Sequence, residues 1–182
     1  MSCCAEEKRR ISAAAAALIA PYDCIFIDHS TTTLNITEYL DTIPVTVITN
    51  SQAVINRLAG KSNVTLICTG GTFDKTDQGF FGIETVRYLQ SHYFDKAFIS
   101  CRSIDISRGV CASKESVSEV WRSVIKSAQQ VFLLVDHTKI GRPAFTLVSE
   151  FDRINRIITD EPLSSEWIQF LEEIGLPATV AP

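Results

Sequence analysis

Six short apolar runs, each closed by a polar or hydroxyl-bearing cluster, constrain this chain more than any other feature. They are Cys24 to Asp28, Val45 to Thr49, Val64 to Cys68, Ala97 to Cys101, Val131 to Val135 and Arg156 to Thr159. Near-continuous β-branched and aromatic runs of this length read as strands buried on both faces, hence as a parallel sheet. Amphipathic stretches separate them. Val117, Val120, Trp121, Val124, Ile125 and Ala128 recur at three- and four-residue steps and make one apolar stripe. Trp167, Ile168, Leu171 and Ile174 do the same, with Gly175 as a stop signal. Weaker helical patterns cover Ala5 to Ala20, Thr32 to Leu40, Gln52 to Ala59 and Ile83 to Ser91. Repeated βα units with short links predict a doubly wound, mostly parallel α/β sheet flanked by helices, in a single domain.

A length of 182 residues suits that architecture and leaves room for a sizeable core. With 46% hydrophobic and 21% charged residues, a disordered chain, a collagen and a disulfide miniprotein are excluded. The balance of 17 Lys and Arg against 21 Asp and Glu argues against a surface dedicated to nucleic acid. The six cysteines, at 3, 4, 24, 68, 101 and 111, contain no C-x-x-C pair, so no zinc ribbon or thioredoxin-like site is indicated. Cys24, Cys68 and Cys101 lie in or beside apolar runs, where a free thiol acts as a small hydrophobe. A reducing, cytoplasmic compartment is the simplest expectation. Ala13 to Ala20 is too short to cross a bilayer, so no membrane role is expected. Lys8, Arg9 and Arg10 imitate the start of a signal peptide. Pro21-Tyr22-Asp23, however, leads straight into a strand without a fitting cleavage site.

Open parallel sheets bind ligands beyond the carboxyl ends of their strands. The clusters there are Asp28-His29-Ser30-Thr31-Thr32-Thr33, Thr49-Asn50-Ser51, Thr69-Gly70-Gly71, Ser100-Cys101-Arg102-Ser103 and Asp136-His137-Thr138-Lys139. All are polar, small or charged, more hydroxyl-rich than turns alone require. Ser and Thr at 30–33 cap a helix, and exposed N–H groups there attract an anion; a plain capped helix is the alternative. Asn50-Ser51 repeats the arrangement. Gly70-Gly71 permits either close backbone approach to a ligand or a turn with positive φ. Lys139 and Arg142 could supply point charges for a phosphate, or be ordinary surface cations. His29 and His137 lack a third spaced ligand, so no metal is expected. No dinucleotide, Walker or Gly-x-Ser-x-Gly motif occurs, and no cofactor is expected.

Taken in order, Asp28 to Thr33, Thr49-Asn50-Ser51, Gly70-Gly71, Gly82, Asp95-Lys96-Ala97-Phe98, Ile104-Asp105, Asp136-x-x-Lys139-x-Gly141 and Thr159-Asp160 resemble one family. They look like the C-terminal effector-sensing domain of DeoR-type bacterial transcriptional regulators, from about Ile11 to Val180. The resemblance implies a Rossmann-like domain related to ribose-5-phosphate isomerase and the CoA transferases. It implies a phosphorylated sugar or sugar alcohol as effector, no catalysis, and a homo-oligomer. Residues 1–20 would be a linker helix packed on a sensor domain at 21–182. Operator DNA would be bound only through an N-terminal helix-turn-helix, expected to be absent from this chain. Carried across, Ser30, Thr31 and Thr32 would face the phosphate, with Asp28 near the sugar hydroxyls. Asn50 and Ser51 would form a wall, Gly70 and Gly71 the floor, and Lys139 would reach the phosphate beside Asp136.

Several positions depart from the family pattern. Ser30 stands where Gly is usual, and Ser100 to Asp105 replaces a Gly-Ala-x-Gly-Ile-Asp-like loop. There Arg102, in place of a small residue, would narrow the pocket or add a ligand contact. Ala112 to Glu115 replaces a Thr-Thr-Pro-Asn-like run, and Trp121 replaces Lys. These changes suggest a divergent effector. The competing reading is a sugar-phosphate isomerase on the same scaffold, with Asp28, Asp105, Glu115 or Asp136 as the proton-transfer carboxylate.

Overall fold

The computed structural model describes residues 4–182. The chain runs through α1 (Ala5–Ala16), β1 (Cys24–Ile27), a 3-10 helix (Thr33–Tyr39), β2 (Val45–Thr49), α2 (Gln52–Leu58) and β3 (Val64–Cys68). A hairpin of β4 (Thr72–Asp74) and β5 (Gly79–Phe81) follows, then α3 (Ile83–Gln90), β6 (Phe94–Ile99), β7 (Ser103–Asp105) and β8 (Gly109–Ala112). The remainder is α4 (Glu115–Ser127), β9 (Ala128–Val135), β10 (Thr146–Ser149), β11 (Arg156–Thr159), α5 (Ser165–Glu173) and β12 (Ala178–Val180).

Seven strands pair in the order β12-β11-β9-β6-β1-β2-β3, every pairing parallel. The alternation of side chains along each strand divides the core between the two faces. On β1, Phe26 packs with Val124, Trp121 and Leu171 on one face, while Ile25 and Ile27 pack with Ile11, Ile36, Val54 and Leu58 on the other. Local signals fix the helix ends. The Oγ of Ser51 accepts from the Val54 N–H and that of Ser164 from the Trp167 N–H, and Gly175 (φ +68°) closes α5.

All six apolar runs are strands of the large sheet, but their surroundings differ from the expectation. The strand β3 lies at the sheet's edge and is only partly covered, and Cys68 at its end is exposed rather than packed as a small hydrophobe. Cys101 does pack inside, where burial pushes its thiol up to about 12. Cys3 lies outside the described residues. The first helix stops at Ala16 rather than Ala20. Ala128 opens β9 instead of ending α4. The segment expected as a helix from Thr32 forms a 3-10 helix. There the Thr37 hydroxyl donates to the Leu34 carbonyl and competes for the acceptors an α-helix would use. Three features were not expected: β12, the β4–β5 hairpin, and the antiparallel sheet β10-β8-β7. Segments of three or four residues carry too little periodicity to announce themselves. Among the described residues, no helix is long and apolar enough to cross a membrane.

Candidate functional site

Because the large sheet is parallel, the loops after β9, β6, β1, β2 and β3 emerge side by side along one edge. Asp28, directly after β1, ties two of these loops and the helix α4 together from a fully buried position. Its Oδ1 accepts from the Ser30 N–H at 2.9 Å and from the Thr33 hydroxyl. Its Oδ2 accepts from the Ser100 N–H at 3.0 Å and from the Trp121 indole N–H, on α4, at 3.1 Å. Four donors occupy both oxygens. The geometry makes Asp28 a brace for the loop at 29–33, leaving it little capacity to read a ligand. Within that loop the Ser30 Oγ accepts from the Thr33 N–H at 3.2 Å. The N–H groups of Thr31 and Thr32 have no hydrogen-bond partner among the described residues.

Lys139 crosses from the end of β9 to meet the other two loops. Its Nζ lies 2.9 Å from the Ser100 Oγ, 3.4 Å from the Thr32 Oγ1 and 3.4 Å from the Asp136 Oδ2. Asp136 is buried, which pushes its carboxyl up. The Thr138 hydrogen bond and the positive charges of Lys139 and Lys8 outweigh that and hold it below its ordinary value. A cavity of about 400 Å³ opens here, lined by Lys8, Arg102, Ser103, Asp136, Thr138, Lys139 and Arg142 among others. Among the described residues of the lining, four cations therefore face one carboxylate. A larger cavity of about 600 Å³ lies elsewhere, between the small antiparallel sheet and α5. It shares none of the charged groups at the strand ends, so the chemistry points to the smaller one.

The remaining candidates lie on the other side of Asp28. Asn50 is fully buried under the hairpin, donating to the Phe80 carbonyl at 3.2 Å, and its Oδ1 has no partner. Ser51 is taken up in capping α2. Gly70 and Gly71 end β3, four strand spacings from β9, or roughly 19 Å. A Cβ on Gly71 would stand 2.1 Å from the Thr85 Oγ1 and 2.7 Å from the Phe81 carbonyl oxygen. That position is glycine because α3 and β5 press against it. None of these four residues lines the cavity at Lys139.

His29 is the residue whose importance the sequence concealed. Its ring stacks on Trp121 at 5.8 Å and meets the edge of Phe81 at 5.0 Å, and its buried Nδ1 has no partner. Burial lowers its pKa below 6.5, against the pull of Asp28, Asp77 and Asp74. The native protein thus resists a proton that the unfolded chain accepts. Stability contributed by the neutral ring is present above about pH 6.5 and lost as the pH falls towards the native value. His137 has the opposite sign. Its hydrogen bond to Asp160 raises its pKa, so its contribution is present below 6.5 and lost as the pH rises through the folded value. In thermal melts from pH 5 to 8, H29Q is expected to flatten the acidic limb and H137Q the alkaline one. Unchanged limbs would contradict the assignment.

The chain matches the DeoR C terminal sensor domain family over residues 4–161. It belongs to that family. It is 32% identical over 169 residues to the HTH-type transcriptional regulator IolR of Bacillus subtilis, spanning 92% of this chain and 67% of that protein. Against the HTH-type transcriptional repressor GlcR of the same organism it is 31% identical over 175 residues, 96% of this chain and 67% of that one. Among solved structures, ribose 5-phosphate isomerase from Plasmodium falciparum superposes with a TM-score of 0.54 at 12% identity, over 75% of this chain and 53% of the isomerase. At that identity the likeness concerns the fold alone.

In this DeoR-type sensor domain the loop carrying Lys139 is pinned from outside the cavity. Asp160 accepts from the His137 backbone N–H at 2.8 Å and faces its Nδ1 at 2.7 Å. With Glu161 these residues place three potential metal ligands within 4.8 Å of one another, a grouping the spacing of the histidines did not suggest. The short Nδ1–Oδ2 distance is that of a charge-assisted hydrogen bond, which satisfies the pair without an ion. The sensor domain's first helix also reaches the site. Lys8 lines the cavity, the Ser12 hydroxyl donates to the Thr32 carbonyl, and Arg10 donates to the carbonyls of Asp160 at 3.3 Å and Ala181 at 3.1 Å.

Proposed function

We propose that this domain senses a phosphorylated sugar or sugar alcohol and so controls a DNA-binding domain N-terminal to it. The observation that carries the reading is Lys139, held between Thr32 and Ser100 at the mouth of a cationic cavity. A phosphate there would meet the Lys139 ammonium, the free N–H groups of Thr31 and Thr32, and the Thr32 hydroxyl. This is the kind of dipole-rich, preformed anion cradle that loops between strand and helix provide. Asp28, Ser30 and Ser100 would hold the cradle in shape.

Coupling to DNA would run through α1. Lys8 on α1 faces the same cavity, and Ser12 is bonded to the loop that would carry the phosphate. A ligand that draws these groups together favours the seated position of α1. It shifts the regulator's equilibrium by the difference in its affinity for the two states. The description of GlcR as a repressor supports repression as this regulator's action.

The isomerase alternative is weaker on physical grounds. It requires a carboxylate free to move a proton. Asp28 is occupied by four donors, and Asp136 is engaged by Thr138 and Lys139. Asp105 is bonded to Ser107, and Glu115 pairs with Arg122 at 2.6 Å. A thermal-shift panel of sugar phosphates beside their dephosphorylated sugars tests the reading. Phosphorylated compounds are expected to raise the midpoint and free sugars to leave it unchanged. Equal shifts from both sets would overturn the phosphate assignment.

A further inference from the structure

The cavity at Lys139 holds more positive charge than one phosphate requires, and that charge is divided between two frames. Lys139, Thr32 and Ser100 stand at the ends of large-sheet strands. Arg102 and Arg142 are instead hung from the small antiparallel sheet. The Arg102 N–H donates to the Cys111 carbonyl at 3.0 Å, and the Gly141 N–H, just before Arg142, donates to the Ile104 carbonyl at 2.9 Å. Ile140 forms a parallel bridge to the same Ile104. Among the described residues neither guanidinium has a hydrogen-bond or ion-pair partner. The same lining holds Ser103, 4% exposed, whose buried Oγ also has no partner among the described residues. A buried hydroxyl left unpaired is costly unless something fills its place.

Among the described residues the only carboxylate in the lining, Asp136, already faces Lys139 and Thr138. Four cations against that one anion leave a formal charge of +3. A phosphate monoester carries about −1.5 to −2 at neutral pH. One such group at Lys139 and the Thr31–Thr32 amides leaves the exposed guanidinium groups of Arg102 and Arg142 without a counter-charge, and the buried Ser103 hydroxyl without a hydrogen-bond partner, among the described residues. A cavity of about 400 Å³ falls within the range that holds small ligands.

Resting on the sugar-phosphate reading, we propose that Arg102, Ser103 and Arg142 form a second anion subsite. The effector is therefore a phosphorylated sugar with another anionic group at its far end, either a second phosphate or a sugar-acid carboxylate. The planar guanidinium forks suit both, since each can be met by two parallel N–H bonds. Ser103 supplies a further donor in the same lining.

Calorimetric titration of this chain with two matched sets of probes tests the subsite. Fructose 1,6-bisphosphate is compared with fructose 1-phosphate and fructose 6-phosphate, and 6-phosphogluconate with glucose 6-phosphate. At least one doubly anionic probe is expected to bind about tenfold tighter than its singly anionic counterparts, the scale of one charge-assisted contact. Which set shows the preference tells phosphate from carboxylate. R102Q and S103A are expected to reduce the ratio to about two or less, weakening the doubly anionic probes more than the monophosphates; neither side chain is itself bonded to Lys139. Equal affinity within both sets, or a parallel loss for both classes in R102Q, would overturn the subsite and leave the sugar-phosphate reading standing. No binding by any phosphate-bearing probe would overturn both.

Discussion

Replacing Asp28 by Ala is expected to destabilise the fold by about 4 kcal/mol or more, an effect outside the usual range for one substitution. The carboxylate is fully buried and accepts from four donors on two loops and a helix. Removing it strands the buried Ser100 N–H and Trp121 indole N–H and takes the acceptor from the part-buried Ser30 N–H, while the Thr33 hydroxyl keeps the Asp28 and Ser30 carbonyls. Each stranded donor costs about 1–3 kcal/mol, and the costs are not additive because the loops relax together. D28N keeps one acceptor and most of the volume, so it is expected to fall between Ala and the native chain. W121F deletes a single donor while keeping a ring for His29 to stack on, and should cost about 1–2 kcal/mol. Urea denaturation midpoints with unchanged slopes would measure all three. A D28A loss near 1 kcal/mol would mean that the carboxylate is not the brace its geometry describes.

The second large effect concerns the ligand rather than the fold. A sugar phosphate at a hundred times its dissociation constant stabilises the native state by about 2.7 kcal/mol. For a domain of this size that raises the melting midpoint by about 5–10 °C. K139A removes the charge at the proposed phosphate position, a contact of about 1.5–3 kcal/mol. At the same ligand concentration the remaining stabilisation is expected to be about 1.4 kcal/mol or less. The variant also leaves Asp136 without its nearest cation, so its unliganded midpoint must be measured and subtracted. Because K139R keeps the charge, it should recover part of the shift. A full ligand shift in K139A would remove Lys139 from the site.

These effects were unequally legible in the sequence. The six apolar runs announced the strands of the large sheet because β-branched residues packed on two faces leave a dense local pattern. Ser51 and Gly175 marked helix ends, the one through a capping hydroxyl and the other through a positive φ. Asp136-x-x-Lys139 and the hydroxyls at 30–33 stood out as polar groups where buried strands end. Other features left no local trace. The β4–β5 hairpin and the β10-β8-β7 sheet rest on segments too short for any period to show. Nothing near Asp28 in the chain points to Trp121, 93 positions away, or to Ser100, 72 away. His29 read as an ordinary turn residue until it was found between Trp121 and Phe81. Gly70 and Gly71 lie beside α3 at the far edge of the sheet, a neighbourhood that nothing in the local sequence announces.

By itself the sequence determined the class of fold, the strands, and the edge along which polar loops would gather, since each follows from the spacing of side chains within a few residues. The order of the strands was decided only by the tertiary structure. Placing β6 between β1 and β9 puts Ser100 between Asp28 and Lys139, and docking α1 brings Lys8 to the same cavity. Alternation along a strand fixes which face each residue takes. It does not fix which strand lies beside it, because that choice is made by packing between segments far apart in the chain.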